Sequence, residues 1–274
     1  MESPWERDAL LASPLFQSLW PVLRQCPQGR FPGLSDLNAL ALSREVRGAD
    51  GAGIRFVAAG MPRRGEFESQ YEVRVYRDGA VPTREANWHD LFNALAWITF
   101  PRTKALLNRR HYEELRLPKE GHRRGSTRDA LTLFDESGIV VACAEPALER
   151  LLREFRWKEL LWAQRVAVRR AMRFFVFGHA IQEKALRPYK GLTARALILQ
   201  VSSDRFAQPL EAQLATIDAA AALYLSESQA LESTRSLSPL PVLGVPGWDP
   251  ANEQESFYDD ASVFRPGRAR SGRG

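Results

Sequence analysis

Cysteine is scarce in this 274-residue chain, which carries only Cys26 and Cys143. Two thiols do not make a disulfide framework, so a small disulfide-stapled scaffold is excluded and a reducing compartment is expected. Cys143 ends the apolar run Ile139-Val140-Val141-Ala142-Cys143, where a buried, inert thiol is the natural reading. Long apolar runs are also missing. The strongest, Phe174-Phe175-Val176-Phe177, is bounded by Arg173 and His179. A spanning helix needs about 20 predominantly apolar residues, so no membrane span is expected. The start, Met1-Glu2-Ser3-Pro4-Trp5-Glu6-Arg7-Asp8, lacks the basic region and apolar core of a secretory signal, and a cytoplasmic location is expected. Strong catalytic signatures are absent too: no Walker loop, dinucleotide glycine fingerprint, Gly-x-Ser-x-Gly elbow, His-Glu-x-x-His or Cys-x-x-Cys pair.

Lysine is rare, 5 residues against 33 Arg, which suggests a GC-rich genome supplying Arg wherever a surface cation is tolerated. The net charge of +5 is unevenly spread. Residues 101–128 hold nine Lys/Arg against three Glu, residues 150–173 eight against two, and residues 249–260 five acids and no base. Such basic surface attracts nucleic acid, anionic metabolites or acidic lipid heads. The acidic stretch has a plainer use: Asp249, Asp259 and Asp260 can meet the basic surface as the chain packs.

With 45% hydrophobic residues, 14 Phe and 7 Trp, there is material for a sizeable core. The periodicity predicts helices over 14–25, 36–46 (capped by Ser35), 87 to about 100, 101–115, 127–136 (capped by Ser126), 146–155, 157–170, 179–186 and 211–225. Residues 118–128 are read as a basic loop. Strands are predicted at 54–58, at Tyr71–Tyr76 from its period-two alternation, and at 139–143, 173–177 and 196–201. Ser238–Pro250, with four prolines and two glycines, should run extended over a surface. No internal repeat or Ser/Gly linker divides the chain. The expectation is a helix-rich α+β single domain, 1–266, with a small sheet and an extended Pro-rich arm, 238–266, packed on it. A disordered basic tail, 267–274, should follow.

Four polar groupings can carry chemistry. His89 and Asn93 lie one helical turn apart after Asn87, which can equally be a plain N-cap with Asp90 at the third position. Lys104, Asn108 and His111 form a polar stripe, and a fold-back at Pro101 would let His89 and His111 converge. Asp129 and the pair Asp135-Glu136 flank a short apolar run; paired carboxylates hold hard cations or share acid–base roles, and otherwise sit at helix starts and turns. His179 and Glu183 are one turn apart behind Gly178, which permits a tight turn or close approach of a ligand. Without a ligand, a His179–Glu183 hydrogen bond would lock the helix to the sheet.

The segments Asn87–Leu95, Phe100–Lys104 with Asn108, Leu133–Gly138, Phe177–Ala180 with Glu183-Lys184, and Pro241–Trp248 resemble the proteobacterial Domain of Unknown Function 3025 family, in matching order over roughly residues 10–266. The resemblance implies a bacterial, cytoplasmic protein and carries no activity with it. On the residues alone, the favoured class is a metal-dependent hydrolase acting on a phosphoester or nucleic acid. It would use a divalent metal ion on His89, His111, His179 and Glu183. Asp135 or Asp129 would be catalytic, and Lys104, Asn93 and Asn108 would bind an anionic substrate. The alternative is a non-catalytic module that binds nucleic acid or a protein partner through the basic segments.

Overall fold

Alternation along one central strand organises the molecule. Strand β3 (Gly138–Cys143) is buried throughout, but its side chains sort to two sides. Ile139, Val141 and Cys143 join one apolar cluster, whereas Val140 and Ala142 join another. Successive strand side chains point to opposite faces, so a strand buried on both reads as a continuous apolar run. The computed structural model describes residues 4–60, 67–68, 70–116, 122–227 and 229–267. The basic tail expected at 267–274 lies outside the described residues apart from Gly267.

Around β3 stand strands β4 (Met172–Val176), β5 (Thr193–Gln200) and β6 (Ser238–Pro241), in the order β4-β3-β5-β6. Strand β3 runs parallel to β5 and antiparallel to β4, while β5 and β6 are antiparallel. A second, two-stranded parallel sheet pairs β1 (Arg55–Ala58) with β2 (Ala80–Thr83). The helices are α1 (Arg7–Ala12), α2 (Trp20–Leu23), α3 (Leu34–Ser43), α4 (Tyr71–Asp78), α5 (Trp88–Thr99), α6 (Pro101–Arg116), α7 (His122–Ser137), α8 (Pro146–Arg153), α9 (Arg165–Ala171), α10 (His179–Lys184) and α11 (Leu210–Ser226). The fold is therefore a helix-rich α+β domain, as expected. One face of the main sheet carries α5, α8 and the N-terminal helices; the other carries α6, α7 and α11. No helix among the described residues is long and apolar enough to cross a membrane.

Four local expectations fail. Tyr71–Tyr76 is not a strand but part of α4. This helix packs against β2 on one side and α6 on the other, so Val73 and Val75, nearly opposite one another around it, are both fully buried. A helix buried on two sides thus imitates strand alternation. It does end where Asp-Gly predicts: Gly79 takes φ +61°, and a Cβ there would fall 2.4 Å from the Gly53 carbonyl oxygen. Helix α3 is capped by Gly33, whose amide donates to Asp36 at 2.8 Å, rather than by Ser35. Helix α7 starts at His122, so residues 122–128 of the expected loop are helical, residues 118–121 lie outside the described residues, and Ser126 Oγ donates to the Glu232 carbonyl instead of capping. The Pro-rich segment is extended over Ser238–Pro241, but as an edge strand of the main sheet, where proline is tolerated. Leu240, Val242, Leu243, Val245, Tyr258 and Phe264 are then buried with the rest of the first cluster.

The junctions α7→β3 and β4→α10 touch. The amides of Phe177 and Gly178 both donate to the Gly138 carbonyl, at 3.0 and 2.8 Å. A Cβ on Gly178 would stand 2.5 Å from the Glu136 carbonyl oxygen and 2.5 Å from the Gly138 nitrogen. Gly178→Ala is accordingly expected to destabilise the protein by about 1–3 kcal/mol, the cost of overpacking, measured by urea unfolding; an unchanged midpoint would show that the junctions can part freely. Removal of the chain beyond Leu237 strips an edge strand and six buried apolar side chains. The truncated protein is expected to be insoluble or molten, and a cooperative melt near that of the full chain would overturn this.

Candidate metal centre

Five helices bring polar side chains to one cavity of about 260 Å³. Helix α5 begins at Asn87, whose side-chain oxygen accepts from the Asp90 amide at 3.0 Å, so the plain N-cap expected there exists. Asp90 is in turn paired with Arg84, at 2.8 and 2.9 Å. That cap orients the first turn, and His89 projects from it into the cavity. Pro101 sends the chain back as α6, which places His111 in the same wall. The end of α7 contributes Asp135 and Glu136, and the start of α10 contributes His179. Helix α4 supplies Tyr71 and Glu72.

The two imidazoles come from helices far apart in sequence, yet their ring centroids lie 4.5 Å apart with the planes nearly perpendicular. His89 Nδ1 is 3.0 Å from Glu183 Oε2. A carboxylate only accepts, so Nδ1 carries the hydrogen and Nε2 is left available. His179 is 5% exposed, and its Nδ1 has no hydrogen-bond partner; Asp135 Oδ2 stands 3.9 Å away. His179 Nε2 is 3.6 Å from Glu136 Oε1. Ligand atoms of His89, Glu136 and His179 all lie within 4.8 Å of one another. Two ligands on a tetrahedral ion at about 2.1 Å are separated by about 3.4 Å, close to the His179–Glu136 spacing. The residues can therefore converge on a divalent ion, with Glu183 fixing the His89 ring from behind, as carboxylates commonly do for ligating histidines. The contact with His179 holds Glu136 below the usual carboxylate range.

The sequence-derived set is thus partly rearranged. His89 and His179 are in the cluster. Glu183 is beside it, paired with His89 and not with His179 one turn away. His111 lines the same cavity without belonging to the cluster; burial pushes it down to about 4, so it is neutral. Asp129 is exposed and is not in the cavity wall. Lys104 is 3% exposed, and its ammonium donates to Asn93 Oδ1 at 2.9 Å and Asp135 Oδ1 at 2.6 Å. Its charge is turned on Asp135, which it holds below the usual carboxylate range against the opposing effect of burial. Asn93 Nδ2 donates to the Tyr71 hydroxyl, and Asn108 Nδ2 to the carbonyl and the Oε2 of Glu72, at 3.0 and 2.6 Å. All three residues expected to bind substrate are thus engaged inside the protein.

From sequence, Glu136 was singled out as half of a carboxylate pair but not placed among the metal ligands, and Glu72 was not selected. The first had a signal, its place beside Asp135 before Gly138; the second was hidden by the strand assignment.

Among the described residues, many cations of the basic segments have carboxylate partners. Lys158 meets Glu255 and Asp259 at 3.0 and 2.7 Å, and Arg165 and Arg169 share Glu253 at 2.7 and 3.0 Å. Arg153 pairs with Glu149, Arg170 with Glu145, Arg156 with Glu154 and Glu159, and Arg109 with Glu113. Lys190 holds Asp260 at 3.0 Å. The acidic stretch 249–260 thus lies against the basic one, as its composition suggested.

Removing one member of a buried ion pair strands the other, at about 3–5 kcal/mol. Lys104→Met is expected to lose that much stability in urea unfolding at pH 7, and Asp135→Asn in the same chain to restore most of it. If the double variant is no more stable than the single one, Asp135 is not the group that Lys104 serves.

Two comparisons return nothing: no curated protein and no solved structure matches this chain. A family profile does match, over residues 54–268, which leaves α1–α3 outside a likeness expected from about residue 10. Every segment that suggested the likeness falls inside the matched region, as does the whole cavity, and the chain belongs to the family described as a protein of unknown function, DUF3025.

Proposed function

We propose that this chain is a metal-dependent hydrolase, holding one divalent ion on His89, Glu136 and His179 and acting on a small phosphoester. One observation carries this reading: two histidines and a carboxylate from three helices present ligand atoms within 4.8 Å, and one histidine is already oriented by a carboxylate. A bound divalent ion would make a water far more acidic and polarise the bond to be cleaved.

The cavity wall carries Glu72, Asp90, Asp135 and Glu136 against Arg84 alone among its Lys and Arg residues. Asp90 is matched by Arg84 and Asp135 by Lys104, so the wall offers an anion no unpaired Lys or Arg among the described residues, and a bound divalent ion would supply the positive charge. Asp135, clamped by Lys104, does not accept a proton. A cavity of about 260 Å³ suits a small ligand, so a nucleic acid would have to offer an end or an extruded nucleotide.

The test uses protein purified without a metal-affinity tag or chelator. Elemental analysis is expected to find one transition-metal ion per chain. Calorimetric titration with Zn²⁺ or Mn²⁺ after stripping should show binding that His179→Ala weakens at least tenfold. That variant should melt within a few degrees of the parent, because sites of this kind are seldom optimised for stability. Bis(p-nitrophenyl) phosphate should be cleaved by the loaded protein and not by the stripped one. A parent without a stoichiometric ion, combined with a much lower melting temperature for His179→Ala, would show the cluster to be structural.

A further inference from the structure

Four carboxylates at or beside the cluster have fixed engagements. Asp90 is held by Arg84, Asp135 by Lys104, Glu183 by His89, and Glu136 by His179. A hydrolytic site also needs a group that takes a proton from water and gives it back, within reach directly or through one water. Glu72 is the lining carboxyl left over. No Lys, Arg or His nitrogen of the described residues lies within 4 Å of it. Its one side-chain contact is neutral: Oε2 accepts from Asn108 Nδ2 at 2.6 Å, and the same amide donates to the Glu72 carbonyl at 3.0 Å. The side chain is thereby pinned at one oxygen.

The groups that face Glu72 are Lys104, Asn108 and His111 on α6 and Asp135 and Arg128 on α7, with Tyr71 beside it on α4. Lys104 is neutralised by Asp135, and His111 is uncharged. Burial in this wall pushes the Glu72 carboxyl up to about 7. It can therefore exist in either protonation state near neutrality, unlike Asp135 and Glu136, which are held ionised.

The geometry points to Glu72 as the proton-transfer group of the candidate centre, a role that rests on the metal-hydrolase reading above. As the oxygen of the activated water bonds to phosphorus, its proton passes to the free Glu72 oxygen. As the bond from phosphorus to the leaving oxygen breaks, Glu72 returns that proton to the leaving group. The water supplies both the new P–O bond and the proton, and no oxidant or further reactant is required. Asn108 is then a positioning residue, and His111 keeps an uncharged wall beside the acid.

Cobalt(II) in place of the native ion makes the test independent of substrate. Parent, Glu72→Gln and Glu72→Asp are stripped, loaded with Co²⁺, and followed by visible absorption from pH 5 to 9. Co²⁺ affinity is expected to agree within threefold across the three proteins. The parent spectrum should follow two coupled proton losses, one from the ion's water and one from Glu72. Glu72→Gln should show one, and Glu72→Asp should keep two. Identical titrations in parent and Glu72→Gln would overturn the role of Glu72 while leaving the metal site intact. Loss of Co²⁺ in Glu72→Gln alone would make Glu72 a ligand and also overturn it. A parent that binds no Co²⁺ would overturn the metal reading and this one together.

Discussion

The Gly138 carbonyl accepts two amides from the end of the neighbouring strand, those of Phe177 and Gly178, and the candidate site is arranged around that contact. It joins the end of one helix to the start of another through two neighbouring antiparallel strands. A Cβ on Gly178 would lie 2.5 Å from the Glu136 carbonyl oxygen, so the absence of a side chain is what permits the approach. The approach brings the last turn of α7, with Asp135 and Glu136, beside the first turn of α10, with His179. Any side chain at residue 178 would push these turns apart, and the spacing of 3.6 Å between His179 and Glu136 would be lost. Strands β3 and β4 are held in turn by apolar layers on both faces, so the site inherits its rigidity from the core.

Charge inside that framework is handled in pairs. A lysine as buried as Lys104 survives only because a carboxylate and an amide oxygen receive its hydrogens. The pair keeps Asp135 charged where burial alone would protonate it. Glu72, buried and hydrogen-bonded to an amide rather than paired with a cation, goes the other way. Two carboxyls in one cavity are thus set to different protonation states by their nearest neighbours, the pattern that separates acid–base work from electrostatic support.

The same economy of charge operates on the outside. The Pro-rich chain after Leu237 completes the sheet edge, buries its apolar residues, and then returns its acids to the basic segment 150–173. Lys158, Arg165 and Arg169 are occupied by Glu253, Glu255 and Asp259. Much of the positive charge of 150–173 is therefore matched by carboxylates within the fold.

Local physics was enough to read much of this from sequence. Pro101 had to separate two helices, Asn87 capped one of them, Ile139–Cys143 was too uniformly apolar to be anything but a doubly buried strand, and Gly178 marked a tight junction. Each of these rests on neighbours a few residues away. What sequence could not supply was contact between distant elements. The alternation of Tyr71–Tyr76 is ambiguous until it is known that α4 is covered on two sides, and with it Glu72 stayed out of sight. His179 and Glu183 are one helical turn apart, yet the carboxylate turns to His89, 94 residues away, because α5 packs against α10. Lys104 has the composition of an anion binder and is instead the counter-charge of Asp135. Residue types and spacing determined which groups were available to the site; packing of five helices around one cavity decided which of them meet, because partner choice follows from three-dimensional distance and burial, and neither is local in the chain.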